Sequence, residues 1–210
     1  MEQRKNMNNL KGSPLLIATN NEGKIKELQD LLKDTEIELV TPAKINLDLD
    51  VVEDGQTYAE NAAKKAVAFA QASGLASLAD DSGLEVSALD GAPGLYSARY
   101  GSPNGGKLSD AERRAFLIKN LRGKSYPWYA RFHATIAIAV PNGEIHFAEG
   151  FCEGEIIPEE RGAGGFGYDP IFLLSELGKT MAELTMEEKN RLSHRARAVM
   201  NAKRILKVLF

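Results

Sequence analysis

From Ala130 to Val140 the apolar side chains Phe132, Ala134, Ile136, Ile138 and Val140 recur at every second residue, with Arg131, His133 and Thr135 between them. That alternation is the period of a strand with one face against a core. Pro141-Asn142-Gly143 follows, and Glu144 to Glu149 offers a second strand, so the segment predicts a hairpin and with it one antiparallel pair. Much of the remaining chain reads as helix. Ile25, Leu28, Leu31 and Leu32 recur at helical spacing, Tyr58, Ala62, Lys65 and Phe69 form a stripe within Thr57 to Ala72, and Val199, Ala202, Leu206 and Leu209 give a last helix its apolar face. Ser109 with Glu112, and Thr185 with Glu188, have the spacing of capping boxes, the first opening a helix that runs to about Leu121. Leu15 to Ala18 and Leu75 to Ala79 read as short buried strands, the second ending at Asp80-Asp81-Ser82-Gly83. Strands and helices alternate without a repeat or a low-complexity linker. One α/β domain over residues 13–210 with a mixed sheet is expected, after a flexible polar tail at 1–12.

Composition excludes several classes. With 26 Lys+Arg against 29 Asp+Glu the net charge is −3, and no broad positive field is available for nucleic acid or anionic lipid. No apolar run approaches the roughly 18 to 20 residues of a membrane span, and Met1 to Gly12 lacks the apolar block of a secretory leader. A cytoplasmic protein with no membrane or nucleic-acid partner is expected. Cys152 is the single cysteine, so no intrachain disulfide can form.

Chemistry concentrates in a few places. Thr19-Asn20-Asn21-Glu22-Gly23-Lys24 enters a helix, where unpaired N–H groups and the dipole favour an anion and Lys24 adds a positive charge; Asn21 as a plain helix cap is the alternative. Asp80-Asp81 and Glu53-Asp54 supply carboxylates for a hard cation such as Mg²⁺, which takes one or two of them and completes its shell with water and phosphate oxygens; Asp80 and Asp81 as a plain turn cap at the surface is the alternative. Gly162 to Gly167 satisfies G-x-G-x-x-G, but Pro170 blocks the helix that a dinucleotide fingerprint requires, which argues against a nicotinamide-dependent oxidoreductase. What remains is a glycine run bearing Phe166 and Tyr168, suited to closing over a flat base. Seven Lys or Arg residues between Lys189 and Lys207 read mostly as a solvated face, with Ser193-His194-Arg195 as the exception.

Taken in order, these pieces closely resemble the inosine triphosphate pyrophosphatase family from about Pro14 to Leu209. The likeness rests on Thr19 to Lys24 with Glu27, Glu60-Asn61-Ala62 with Lys65, Leu78 to Leu84, and Gly91 to Tyr100. It continues through Arg131-Phe132-His133, Gly164 to Phe172, Lys179 to Leu184 and Ser193-His194-Arg195. The resemblance implies an elongated two-lobed α/β fold, a long mixed β-sheet flanked by helices, with the active site in the cleft between lobes, and a homodimer. It implies an enzyme that hydrolyses ITP, dITP and XTP to the monophosphate and pyrophosphate with Mg²⁺, or Mn²⁺ in its place. Thr19, Asn20, Asn21, Glu22, Gly23 and Lys24 would hold the triphosphate; Glu53, or its neighbour Asp54, and Asp81 would hold the metal. Asp81 would also orient the attacking water, and Lys24, Lys65 and Lys179 would neutralise developing charge. Ser82, Phe166, Gly167, Tyr168, Asp169, Lys179, His194 and Arg195 would line the nucleotide, His194 and Arg195 as donors toward a base carbonyl.

Overall fold

Residues 10–102, 108–141 and 143–210 are described by the computed structural model. Within them seven strands form one mixed sheet: β1 (Leu15–Ile17), β2 (Leu39–Val40), β3 (Ala76–Val86), β4 (Trp128–Ala139), β5 (Ile145–Ile156), β6 (Phe172–Leu174) and β7 (Lys179–Thr180), in the spatial order β2-β1-β3-β4-β5-β6-β7. β1 runs parallel to β2 and β3, and every pair from β3 to β7 is antiparallel. Among the described residues five α-helices flank the sheet: α1 (Glu22–Leu32), α2 (Tyr58–Ser73), α3 (Asp110–Leu121), α4 (Met186–Leu192) and α5 (His194–Leu209). The expected capping boxes form at Ser109–Glu112 and Thr185–Glu188, each satisfying helix-terminal N–H groups that would otherwise be orphaned.

Alternation along β4 sorts the core. Trp128, Ala130 and Phe132 belong to one apolar cluster with Leu84, Val86 and the α3 residues Leu117 and Leu121. Further along the same face, Ala134, Ile136, Ile138 and Val140 join a second cluster with Leu15, Ile17, Leu78, α1 and α5. On the opposite face Ala137 and Ala139 pack with Leu16, Ala79 and the α2 residues Ala62, Ala66 and Phe69. The long strands β3, β4 and β5 therefore tie two ends of the molecule together. On β3 the stretch between Leu78 and Leu84, where one core gives way to the other, is Ala79-Asp80-Asp81-Ser82-Gly83.

Two sequence expectations change. The acidic pair does not end a strand: β3 continues through it because β4 pairs with it from Ser77 to Val86. Only the parallel neighbour stops, β1 reaching no further than Leu78. The hairpin partner is Ile145–Ile156, seven residues longer at its far end than Glu144 to Glu149 suggests, because Gly150 and Gly154 interrupt the apolar pattern while serving as close contacts for α5 and Phe172. Its turn residue Asn142, like residues 1–9 of the expected tail, lies outside the described residues. Leu10 donates its N–H to the Leu209 carbonyl at 2.9 Å and packs on the α5 side of the core.

Candidate active site

A cavity of about 620 Å³ opens where the two cores meet. Its floor is β3, and the side-chain parity of the strand decides what reaches it. Asp80 and Ser82 share the face of α1 and α5, whereas Asp81 shares the face of α2.

On the α2 side, Ala62 and Ala66 pack against Ala79, Ala137 and Ala139, and these small side chains bring the helix close to the sheet. Lys65, buried with 7% exposure, thereby reaches the strand: its Nζ lies 2.9 Å from Asp81 Oδ1, 2.9 Å from the Asp80 carbonyl and 3.2 Å from Glu53 Oε1. Burial alone would lower the Lys65 pKa, but Asp81 and Glu53 outweigh it and hold the ammonium above its ordinary range. For Asp81 burial wins over Lys65 and Lys24, and its carboxyl is pushed up. Glu53, half exposed, is pulled down by Lys65 against its own desolvation. Asp54 instead pairs with Lys64 at the surface, which separates the two neighbours that sequence left as alternatives.

On the α1 side, Asn21 caps the helix by accepting from the Lys24 N–H at 3.0 Å. Thr19, Asn20, Asn21, Glu22, Gly23 and Lys24 also line the cavity. Lys24 Nζ sits 3.2 Å from the Asp80 carbonyl and 3.4 Å from Asp80 Oδ2. Its pKa is lowered, first by burial and further by Lys65 and Arg195, against the pull of Asp80. Gly23 leaves room for an aromatic neighbour, because a Cβ there would stand 2.7 Å from Phe166 Cδ1.

On the same Asp80 carboxylate, α4 and α5 supply a buried ionic chain. Arg195, 2% exposed, donates Nε to Asp80 Oδ2 at 2.7 Å and Nη2 to Ser82 Oγ at 3.0 Å, and Nη1 pairs with Glu27. Lys189 Nζ lies 2.6 Å from Glu27 Oε1 and 2.7 Å from Asp169 Oδ2, which also accepts the Phe166 N–H at 2.9 Å. Burial opposes charge on Asp80, but Arg195, Lys24 and Lys65 together hold its carboxyl well below the usual carboxylate range. The Phe166 ring has Lys189 Nζ 5.3 Å and Arg195 Cζ 5.5 Å from its centroid, within the range of cation–π attraction. His194 stacks on Phe132 at 4.6 Å, and burial and the neighbouring Arg195 push its imidazole well below its ordinary pKa, so it is neutral at pH 7.

Most residues singled out in the sequence meet here, with changes of role. Lys179 does not: it stands on the edge strand β7, largely exposed, 3.0 Å from Glu188 Oε1 and outside the cavity lining. The lysine that joins Lys24 and Lys65 in the cavity lining is Lys189, which the charge pattern of the last segment assigns to a solvated face. Its signal was its place, the residue after the Thr185–Glu188 capping box and five before His194. Each guanidinium nitrogen of Arg195 already has a protein partner, which leaves it one N–H on each of Nη1 and Nη2. Tyr168 lines the cavity with its ring packed in the core and its hydroxyl donated to the Ser97 carbonyl at 2.9 Å. Gly167 is held by α3, its N–H on the Asp110 carboxylate at 2.6 Å and its carbonyl on Arg114 Nη1 at 2.8 Å.

Among the described residues no three His, Cys, Asp or Glu side chains converge as a cage for a metal. Glu53 and Asp81 do converge, on each other and on Lys65. Two carboxylates at an open cavity suit a hard cation that draws its other ligands from water and phosphate.

Fold and cleft together define the class: a mixed-sheet α/β protein whose cleft joins a helix N-terminus, two lysines and two carboxylates to an aromatic pocket. The chain belongs to the Ham1 family, whose sequence profile matches residues 15–205. It is 50% identical over 198 residues to the dITP/XTP pyrophosphatase of Desulforamulus reducens, covering 93% of this chain and 96% of that protein. The dITP/XTP pyrophosphatase of Thermus thermophilus is 47% identical over 191 residues, 90% of each chain. Among solved structures, the HAM1 protein of Coxiella burnetii superposes with a TM-score of 0.82 at 39% identity over 92% of this chain and 98% of that one. The Ham1 protein of Staphylococcus aureus gives 0.80 at 38% identity over 93% and 98%. No described helix is long and apolar enough to cross a membrane.

Proposed function

We propose that the protein hydrolyses deaminated purine nucleoside triphosphates, ITP, dITP and XTP, to the monophosphate and pyrophosphate, so removing them from the nucleotide pool. One observation carries the reading: Lys24 and Lys65 converge on the Asp80 carbonyl beside Asp81 and Glu53, in the same cavity as Phe166 and the neutral His194. Lysines for a polyanion and an aromatic ring for a flat base, lining one cavity, fit a nucleotide. The dITP/XTP pyrophosphatases that resemble this chain over nine-tenths of its length support the choice of substrate.

Water attacks the α-phosphorus, forming a new P–O bond while the bridging bond to the β-phosphate breaks and pyrophosphate leaves. Asp81, at the cavity floor, orients that water and takes its proton. Lys65 fixes the Asp81 carboxylate and, with Lys24, offsets negative charge on the phosphoryl oxygens in a partly dry site. Glu53 and Asp81 would hold Mg²⁺, with Mn²⁺ as a substitute, and the ion would supply Lewis-acid stabilisation of the phosphates. Loss of activity on chelation and its return with Mg²⁺ tests that part.

Base choice follows from donors facing O6. His194 in its neutral form carries one N–H, Lys189 lines the same cavity, and an adenine 6-amino group would bring hydrogens against donors. Each buried polar group so left unpaired costs about 1 to 3 kcal/mol. A panel of nucleoside triphosphates with Mg²⁺, modified pyrimidines included, scored for phosphate against pyrophosphate, tests the whole reading: equal kcat/KM for ITP and ATP, or phosphate as product, overturns it. A homodimer in the cytoplasm completes the proposal, supported by the family resemblance and checked by light scattering and fractionation.

A further inference from the structure

Every cation of the cavity but one already holds a carboxylate. Lys24 faces Asp80, Lys65 faces Asp81 and Glu53, Lys189 faces Glu27 and Asp169, Arg195 faces Glu27 and Asp80, and Arg113 pairs with Asp110. Arg99 also lines the cavity, and among the described residues no carboxylate lies within 4.0 Å of its guanidinium. Its bond is to backbone: Nη2 donates to the Glu53 carbonyl at 3.3 Å, and its Cζ lies 5.1 Å from the centre of the Tyr96 ring. The first contact places it beside Glu53, one of the two carboxylates that converge on Lys65. The second orders the side chain while leaving most of its five N–H donors unassigned.

A polyanion entering this site meets lysines whose charge is largely balanced by the acids beside them. The phosphates that depart carry the most negative charge at the end of the reaction, and they need a cation not already committed. A guanidinium matches phosphate oxygens two at a time, which an ammonium cannot do. We propose that Arg99 binds the β- and γ-phosphates of the substrate and the pyrophosphate that leaves, a binding residue on the leaving-group side of the reaction. The assignment rests on the pyrophosphatase reading above.

The test compares wild type with Arg99→Ala and Arg99→Lys, using inhibition of ITP hydrolysis by inorganic pyrophosphate and by IMP. For Arg99→Ala the inhibition constant of pyrophosphate should rise about tenfold or more, with KM for ITP rising alongside, while that of IMP stays within about twofold. Arg99→Lys, which keeps the charge and loses the fork, should recover part of the pyrophosphate affinity. A second measurement needs no turnover: calorimetric titration of each protein with inorganic pyrophosphate and Mg²⁺. Unchanged pyrophosphate affinity in Arg99→Ala overturns the proposal, and so does an equal loss for pyrophosphate and IMP, the mark of a general disturbance. If wild type cleaves none of the nucleotides, the functional reading fails by itself, and the titration still decides whether Arg99 is a pyrophosphate ligand.

Discussion

Lys24 and Lys65 donate to a single acceptor, the backbone carbonyl of Asp80, at 3.2 and 2.9 Å. The reason lies in the sheet. The Leu78 carbonyl accepts the Ala18 N–H at 2.8 Å, and the Asp80 carbonyl, two residues on, faces the same side, where β1 no longer continues. A strand carbonyl that has lost its neighbour must be satisfied, and here two ammonium groups from helices on opposite faces take the missing strand's place. The termination of β1 thus creates the cation pair of the site.

Asp81→Asn keeps the side-chain shape and removes the charge that Lys65 holds. With Lys65 still bound to Glu53 and the Asp80 carbonyl, the fold should persist. We expect kcat for ITP to fall by about 10²-fold or more, the scale for losing a positioned acid–base group, with an unfolding midpoint close to wild type. Pyrophosphate release assays and thermal denaturation check both halves. Near-normal turnover would take Asp81 out of the chemistry.

The acid limb of stability follows from Asp80. Its folded-state pKa lies well below the unfolded value of about 3.9, so the native state releases the proton more readily than the unfolded chain. The stabilisation it provides is therefore complete above the unfolded pKa and lost as pH falls through the folded one; Glu27, also lowered, acts with the same sign. Urea midpoints measured from roughly pH 7 down to 3 should decline at the acid end, and Asp80→Asn should flatten that decline. A wild-type midpoint that holds constant across the range would contradict the ionic chain described for Arg195.

Lys189→Ala and Lys179→Ala should differ sharply. Lys179 makes one exposed ion pair with Glu188, a kind worth about 0 to 1 kcal/mol, and its loss should leave kcat/KM within about twofold. Removing Lys189 leaves Glu27 and Asp169 short of a buried cation, with an expected cost of about 3 to 5 kcal/mol. It should also lower kcat/KM for ITP more than tenfold, because Asp169 holds the Phe166 N–H. Parallel kinetics and melting curves on the two variants decide it; equal effects would show that the cavity lysine has been misassigned.

That contrast also marks how far the sequence reads. Periodicity placed α2 and made Lys65 conspicuous, because a lysine in an apolar stripe must find a buried partner. The alternation of β4 likewise named its core face residue by residue. Lys189 gave no such sign, since on a short helix rich in Glu, Lys and Arg a buried cation looks the same as a solvated one until Glu27 and Asp169 come in from elsewhere. Arg195 gave no sign of its ion pairs for the same reason. Its three partners lie on α1 and β3, more than a hundred residues away in sequence. The extent of β5 was hidden by its glycines, residues of low strand preference that are there because a helix and an aromatic ring press against them.

Gly150 shows what that pressure is for. It pairs with Ala134 in the sheet, and a Cβ added there would collide with the Ala198 nitrogen and the His194 carbonyl, so the first turns of α5 lie directly on the strand. Those turns carry His194 and Arg195. Gly150→Ala must push the helix away or bend the strand, a kind of overpacking that costs about 1 to 3 kcal/mol. The displacement would also shift Arg195 from Asp80, Ser82 and Glu27. We therefore expect a lower unfolding midpoint together with a loss in kcat/KM for ITP, although residue 150 does not line the cavity. Calorimetry and steady-state kinetics on the single variant provide the check, and full activity with an unshifted midpoint would show that α5 has slack against the sheet and that its seat does not set the geometry of the site.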